Sequence, residues 1–135
     1  MSENISLISS EEIPLDELKT VILGLGGFLT TDFGRFGQIS PQKKAVIWLW
    51  FGTLQNLSSD KLSEEIQAKL EGTPKTHIII EISFQTGSQK LAVDFAAACA
   101  ERWPCMVDAG HLATFSREEI LQIQRSGGWF MNYGV

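Results

Sequence analysis

Cysteine, histidine, basic charge and long apolar runs are all scarce in this chain, and each scarcity removes a class of explanation. Cysteine occurs twice, as Cys99 and Cys105. Two such residues across a helix end build no disulfide framework, and no second pair completes a zinc site, so both read as small core hydrophobes. Histidine also occurs twice, as His77 and His111, far apart and outside any metal-ligand spacing; no metal and no cofactor is expected. Eleven Lys and Arg face sixteen Asp and Glu, for a net charge of −5. Nucleic-acid binding rests on neutralising phosphates, so this balance counts against it. The densest basic strip is Gln42-Lys43-Lys44. No apolar run reaches the ~18–20 residues that cross a bilayer, and the longest, Ala45 to Phe51, is of strand length. Met1 to Ser10 has neither the basic nor the apolar part of a secretion signal. A cytoplasmic protein away from membranes is the expectation.

Catalytic signatures are missing as well. Gly24-Leu-Gly-Gly27 follows a helix rather than a strand, so it ends that helix instead of cradling a phosphate. Gly-x-Ser-x-Gly does not occur, and Glu81-Ile-Ser83 lacks the lysine a restriction-type nuclease would place there. Asp108 and His111 stand at a strand end, where a carboxylate and an imidazole are the least that acid–base chemistry needs. Turn geometry is the simpler role for Asp108. Cys105 with His111 has no third group to orient it.

What is present is a chain of 135 residues, 44% hydrophobic and 20% charged, which fits one domain over residues 1–135 able to bury a core without staples. Asn4 to Ile8 reads as a short strand. Ser9, Ser10 and Pro14 open a helix carrying Leu15, Leu18, Val21, Ile22 and Leu25, ended by Gly26-Gly27. Phe28 to Phe36 alternates as one strand and pairs with Ala45 to Phe51. Ser58-Ser59-Asp60 caps a helix with Leu62, Ile66 and Leu70 in line. Lys75 to Phe84 is the clearest strand, with Ile78, Ile80 and Ile82 on one side and His77, Ile79 and Glu81 on the other. A helix from Gln89 to Trp103, turned into and capped by Gly87-Ser88, precedes the strand Cys105 to Asp108. His111 to Phe115 extends the sheet, and Ser116 caps a last helix before a tail with Trp129, Phe130 and Tyr133.

This order predicts an α+β fold: a split βαβ, ferredoxin-like sheet with helices on one face and an α-β-α C-terminal extension. Trp48 and Trp50 then fall on the face without helices, beside Asp32, His77 and Glu81. Either the tail folds over the two indoles as a second small core, or they anchor a partner, since tryptophan is enriched where binding energy concentrates. Asp32, Trp48, Trp50, His77 and Glu81 are the candidate partner-binding residues, and an acidic protein suits a basic protein partner.

The strand Ile78 to Ser83, the helix Leu91 to Arg102, Trp103-Pro-Cys-Met-Val-Asp108 and Phe115-Ser-Arg-Glu-Glu-Ile120 together resemble the C-terminal halves of small bacterial immunity-type proteins of toxin–immunity systems. The N-terminal half follows their general order without a matching motif. The resemblance implies a non-enzymatic protein that neutralises a cognate toxin by covering it. Such families diverge at the binding surface, so no contact residue is carried over. The alternatives are a small-ligand domain or enzyme that uses the open sheet face, with Asp32, His77 and Glu81 as polar groups, and a homodimer that pairs those faces.

Overall fold

The computed structural model describes residues 2–41, 44–57, 60–110 and 113–130. Its organising element is β5 (Thr76–Ser83), in which every second residue from Ile78 to Ile82 is apolar and fully buried. It pairs antiparallel with β1 (Ser2–Ser9) on one edge, over eight residue pairs, and with β4 (Ile47–Phe51) on the other. Outside β4 lie β3 (Arg35–Ile39) and β2 (Gly27–Leu29), and outside β1 lie β6 (Cys105–Asp108) and β7 (Thr114–Phe115). Among the described residues this is a seven-stranded sheet in the order β2-β3-β4-β5-β1-β6-β7, antiparallel at each pairing. The class is α+β, and β5 holds the centre.

Three helices cover one face. Leu18, Val21 and Ile22 of α1 (Leu15–Gly24), Ala92, Phe95, Ala96 and Cys99 of α3 (Ser88–Arg102), and Ile120 and Ile123 of α4 (Arg117–Ser126) join Ile78, Ile80, Ile82, Ile47, Leu49 and Leu7 in a single core. Leu25 and Leu91 pack against its margin. Trp129 and Phe130 of the tail enter this same core, where Phe130 lies 5.2 Å from the Phe115 ring. Trp129 and Phe130 therefore do not seal Trp48 and Trp50.

The fourth helix corrects the expectation that all helices share a face. α2 (Asp60–Lys69), with Leu70 just beyond it, sets Ile66 and Leu70 against Ile8 and Met106, which alternate with the core-facing Leu7 and Val107. An amphipathic stripe needs an apolar surface, and this opposite face supplies one. Two polar ties hold the helix over the β7 edge: Thr114 donates to Glu65 at 2.8 Å, and Lys69 meets Glu119 of α4 at 2.6 Å. The β1-β6-β7 half of the second face is covered, and among the described residues no α-helix covers the β2-β3-β4-β5 half.

Several local expectations are also revised. Phe28 to Phe36 is not one strand; β2 ends at Leu29 and β3 begins at Arg35, with a tight turn between them. The cap of α1 is Pro14 without a side-chain bond, while Ser9 Oγ accepts from the Glu11 amide in the preceding turn. Gly87, in the left-handed region at φ 92°, caps α3. Ser88 instead accepts from the Val46 amide and shares a bond with Ser83, joining α3 to the start of β4 and the end of β5. Ser116 does cap α4, in a reciprocal box with Glu119. Ser58, Ser59, His111, Tyr133 and the Gln42-Lys43 pair lie outside the described residues, as does the side chain of Leu62.

Because Ile80 is fully buried at the middle of the central strand, Ile80→Ala is expected to cost about 2–5 kcal/mol through lost burial and a residual cavity. Urea unfolding checks this; a loss below about 1 kcal/mol would contradict the placement.

Candidate functional site

Strand registers set out the uncovered face row by row. One row runs Phe28, Gln38, Trp48, Glu81, Asn4 across β2, β3, β4, β5 and β1; the next runs Arg35, Trp50, Ile79, Ser6, Asp108. Arg35 and Gln38 are three residues apart, and simple alternation would send them to opposite faces. A bulge between Arg35 and Gly37 absorbs the extra residue and turns both toward the tryptophans. Phe36 is left on the core side, stacked on Phe51 at 4.2 Å.

The centre of the face is a four-residue knot. The Arg35 guanidinium lies over the Trp48 ring at 4.5 Å and 5.2 Å from that of Trp50. Glu81 receives Arg35 at 3.4 Å and accepts the Trp50 indole N–H at 3.0 Å. Charge, ring and hydrogen bond are thus satisfied together: the cation meets π faces and a carboxylate, and the polar edge of Trp50 finds its acceptor. Arg35 Nε, enclosed here, has no hydrogen-bond acceptor among the described residues. The side chains of Arg35 and Glu81 are 22% and 16% exposed, so the pair is neither a surface bridge nor fully desolvated.

The five residues singled out from sequence do not form one surface. Trp48, Trp50 and Glu81 come together, with Arg35 as the partner that sequence reasoning missed. Asp32 stands off the sheet, exposed in the β2–β3 turn. His77 is on the face by register but 5% exposed, with Nδ1 3.0 Å from the Thr53 carbonyl and Nε2 2.9 Å from Ser6 Oγ. A carbonyl can only accept, so Nδ1 carries a proton toward Thr53, while Nε2 shares a hydrogen bond with the serine hydroxyl. Both nitrogens are occupied, and the imidazole acts as a brace between β5, β1 and the chain after β4. Gly52 permits this: a Cβ there would fall 2.4 Å from His77 Nδ1. Glu81 is likewise committed inside the protein, so its charge is not free to steer a partner.

The remaining chemical candidates resolve structurally. Asp108 accepts from the Gly110 amide at 3.0 Å, a local turn bond, and its candidate partner His111 is outside the described residues. Cys99 and Cys105 are buried and unbonded. Burial pushes both thiols up, Cys105 to about 12 against the opposing pull of the Arg117 charge. Among the described residues no cluster of three His, Cys, Asp or Glu side chains is placed to hold a metal, and no helix is long and apolar enough to cross a membrane.

Comparison with family models, curated proteins and solved structures finds no match to this chain.

Two outcomes follow from this geometry. Glu81→Ala strands the Arg35 cation and the Trp50 N–H, and is expected to cost about 1–2 kcal/mol, between the values for exposed and buried pairs; Glu81→Gln, which keeps an acceptor, should recover part of that loss. Urea titration followed by tryptophan fluorescence reads both, and an unchanged midpoint for Glu81→Ala would deny the knot any structural role. The thiols should label slowly in the native protein at neutral pH, because the reactive thiolate is suppressed. A thiol pKa raised by folding contributes stability that is whole below the ordinary value of 9.0 and lost as the pH rises toward about 12. Fast native labelling of Cys105 would refute this.

Proposed function

We propose that this chain is a protein-binding domain that works by covering another protein with the β2-β3-β4-β5 half of its second sheet face. The observation that carries the reading is the state of Trp48 and Trp50, which remain partly exposed while Trp129, Phe130 and α2 pack elsewhere. Tryptophan and arginine at the centre of a patch are the side chains on which binding energy most often concentrates. Phe28, about half exposed, extends the apolar surface toward the β2 edge. The Arg35–Glu81 pair fixes the rings in place, so little side-chain freedom is left to lose on association.

Within this reading the domain is an immunity-type protein of the cytoplasm, and its ligand is a cognate toxin with a basic surface, drawn in by the net charge of −5. The unit β5-α3-β6, with β1 laid between the two strands, is read as the split βαβ element of a ferredoxin-like sheet. The recognition is shape and aromatic contact at the centre, with long-range charge adding speed.

The test uses the purified product of the reading frame adjacent to this one. Trp50 is tied to Glu81, so Trp48 is the cleaner probe. Trp48→Ala should keep its thermal midpoint within a few degrees and bind at least about tenfold more weakly. The association rate of the parent should fall as salt rises from about 50 to 500 mM. Equal affinity of parent and Trp48→Ala would remove this face from the interface.

A further inference from the structure

The turn between β2 and β3 has a conformation its sequence does not favour. Phe33 lies at φ 55°, ψ 36°, and the next residue, Gly34, at φ 80°. Two consecutive residues of positive φ are the signature of a type I′ turn, whose first position is normally Asn, Asp or Gly. Phenylalanine there is strained, because its Cβ crowds the backbone. It is also the sole non-glycine residue with positive φ among the described residues. The strain wins nothing inside the protein: the ring is 84% exposed, more than any other large apolar side chain described. A residue that costs the fold through both its backbone and its solvation finds its compensation elsewhere.

The turn is held firmly enough to present that ring. Thr30 donates its amide to the Phe36 carbonyl at 3.0 Å, and Thr30 Oγ1 accepts from the Asp32 amide at 3.2 Å. On the other side Gly34 sits against Trp50; a Cβ there would come within 3.2 Å of the indole. Arg35, the following residue, is locked by Glu81 and the two indoles. The tip is therefore continuous with the tryptophan face and braced by it, and it projects a preset aromatic flanked by the exposed carboxylate of Asp32.

We infer that Phe33 is an insertion anchor: the β2–β3 turn drives its ring into an apolar cleft on the partner protein, and Asp32 meets Lys or Arg side chains at the rim of that cleft. This rests on the protein-binding reading and names the chemistry of its partner. A protein is favoured over a lipid surface because a chain of net charge −5 is repelled by anionic headgroups, and one ring gives little purchase on a bilayer.

The experiment compares the parent with Phe33→Asn and Phe33→Tyr. Asparagine suits the left-handed position and removes the exposed ring, so Phe33→Asn should melt about 2–6 °C higher in scanning calorimetry. It should also bind the adjacent gene product at least about tenfold more weakly, while Phe33→Tyr, which keeps a ring, retains most of the affinity. A lower melting temperature for Phe33→Asn would overturn the inference without reference to any partner, because the ring would then be supporting the fold. Unchanged affinity of Phe33→Asn, with Trp48→Ala weakened, would overturn the anchor and leave the tryptophan face standing. Failure of the parent to bind would bring down the protein-binding reading and the anchor with it. Sedimentation with phosphatidylcholine and phosphatidylglycerol vesicles closes the remaining route: vesicle binding by the parent that is lost in Phe33→Asn would replace the protein cleft with a lipid surface.

Discussion

The double commitment of β5 is the constraint from which the other features follow. Its edges are both taken, by β1 and β4, and its isoleucine side builds the core under α3. A strand so placed cannot carry free polar groups on its other side, so His77 and Glu81 must be satisfied by neighbours. His77 is satisfied by Ser6 and Thr53, and Glu81 by Arg35 and Trp50. The brace and the knot are two answers to one problem, the presence of ionisable side chains on a central strand. One answer is buried and inert. The other reaches the surface and gives the uncovered face its character.

Much of the architecture was legible in the sequence because it obeyed local rules. The period-two isoleucines of β5, the cap at Ser116 and the turn role of Asp108 all depend on residues close together in the chain. What was not legible depended on tertiary choice. The stripe on α2 showed that the helix must bury Ile66 and Leu70 but not which sheet face would receive them. Ser88 carried the signature of a cap, yet its hydroxyl was worth more bridging Val46 and Ser83.

The candidate site was half legible for the same reason. Trp48 and Trp50 announced themselves by alternation with buried Ile47 and Leu49. Arg35 did not, because a bulge changes the parity of everything before it, and no propensity in Arg-Phe-Gly announces that bulge. His77 and Asp32 looked like surface polar groups in a string of letters, and packing sent one inward and the other out to the turn. Phe33 was hidden inside a run that alternated well enough to pass for a strand; a Phe-Gly pair is not a usual turn signal, and its left-handed backbone is visible in three dimensions alone.

The position of β1 between β5 and β6 bears on how the chain is made. β1 is made before the other strands of the sheet, yet both strands that flank it are encoded far downstream, from Thr76 and Cys105. At elongation rates of about 5–20 residues per second, Ile5, Leu7 and Ile8 must wait several seconds with no edge to join. The meander β2-β3-β4 can close meanwhile, since its strands are consecutive. The nascent domain therefore passes through a stage in which one apolar strand is tethered to a part-built sheet that has no slot for it. Slowing elongation between β4 and β5 thus lengthens the exposure of β1 more than slowing it anywhere after β6.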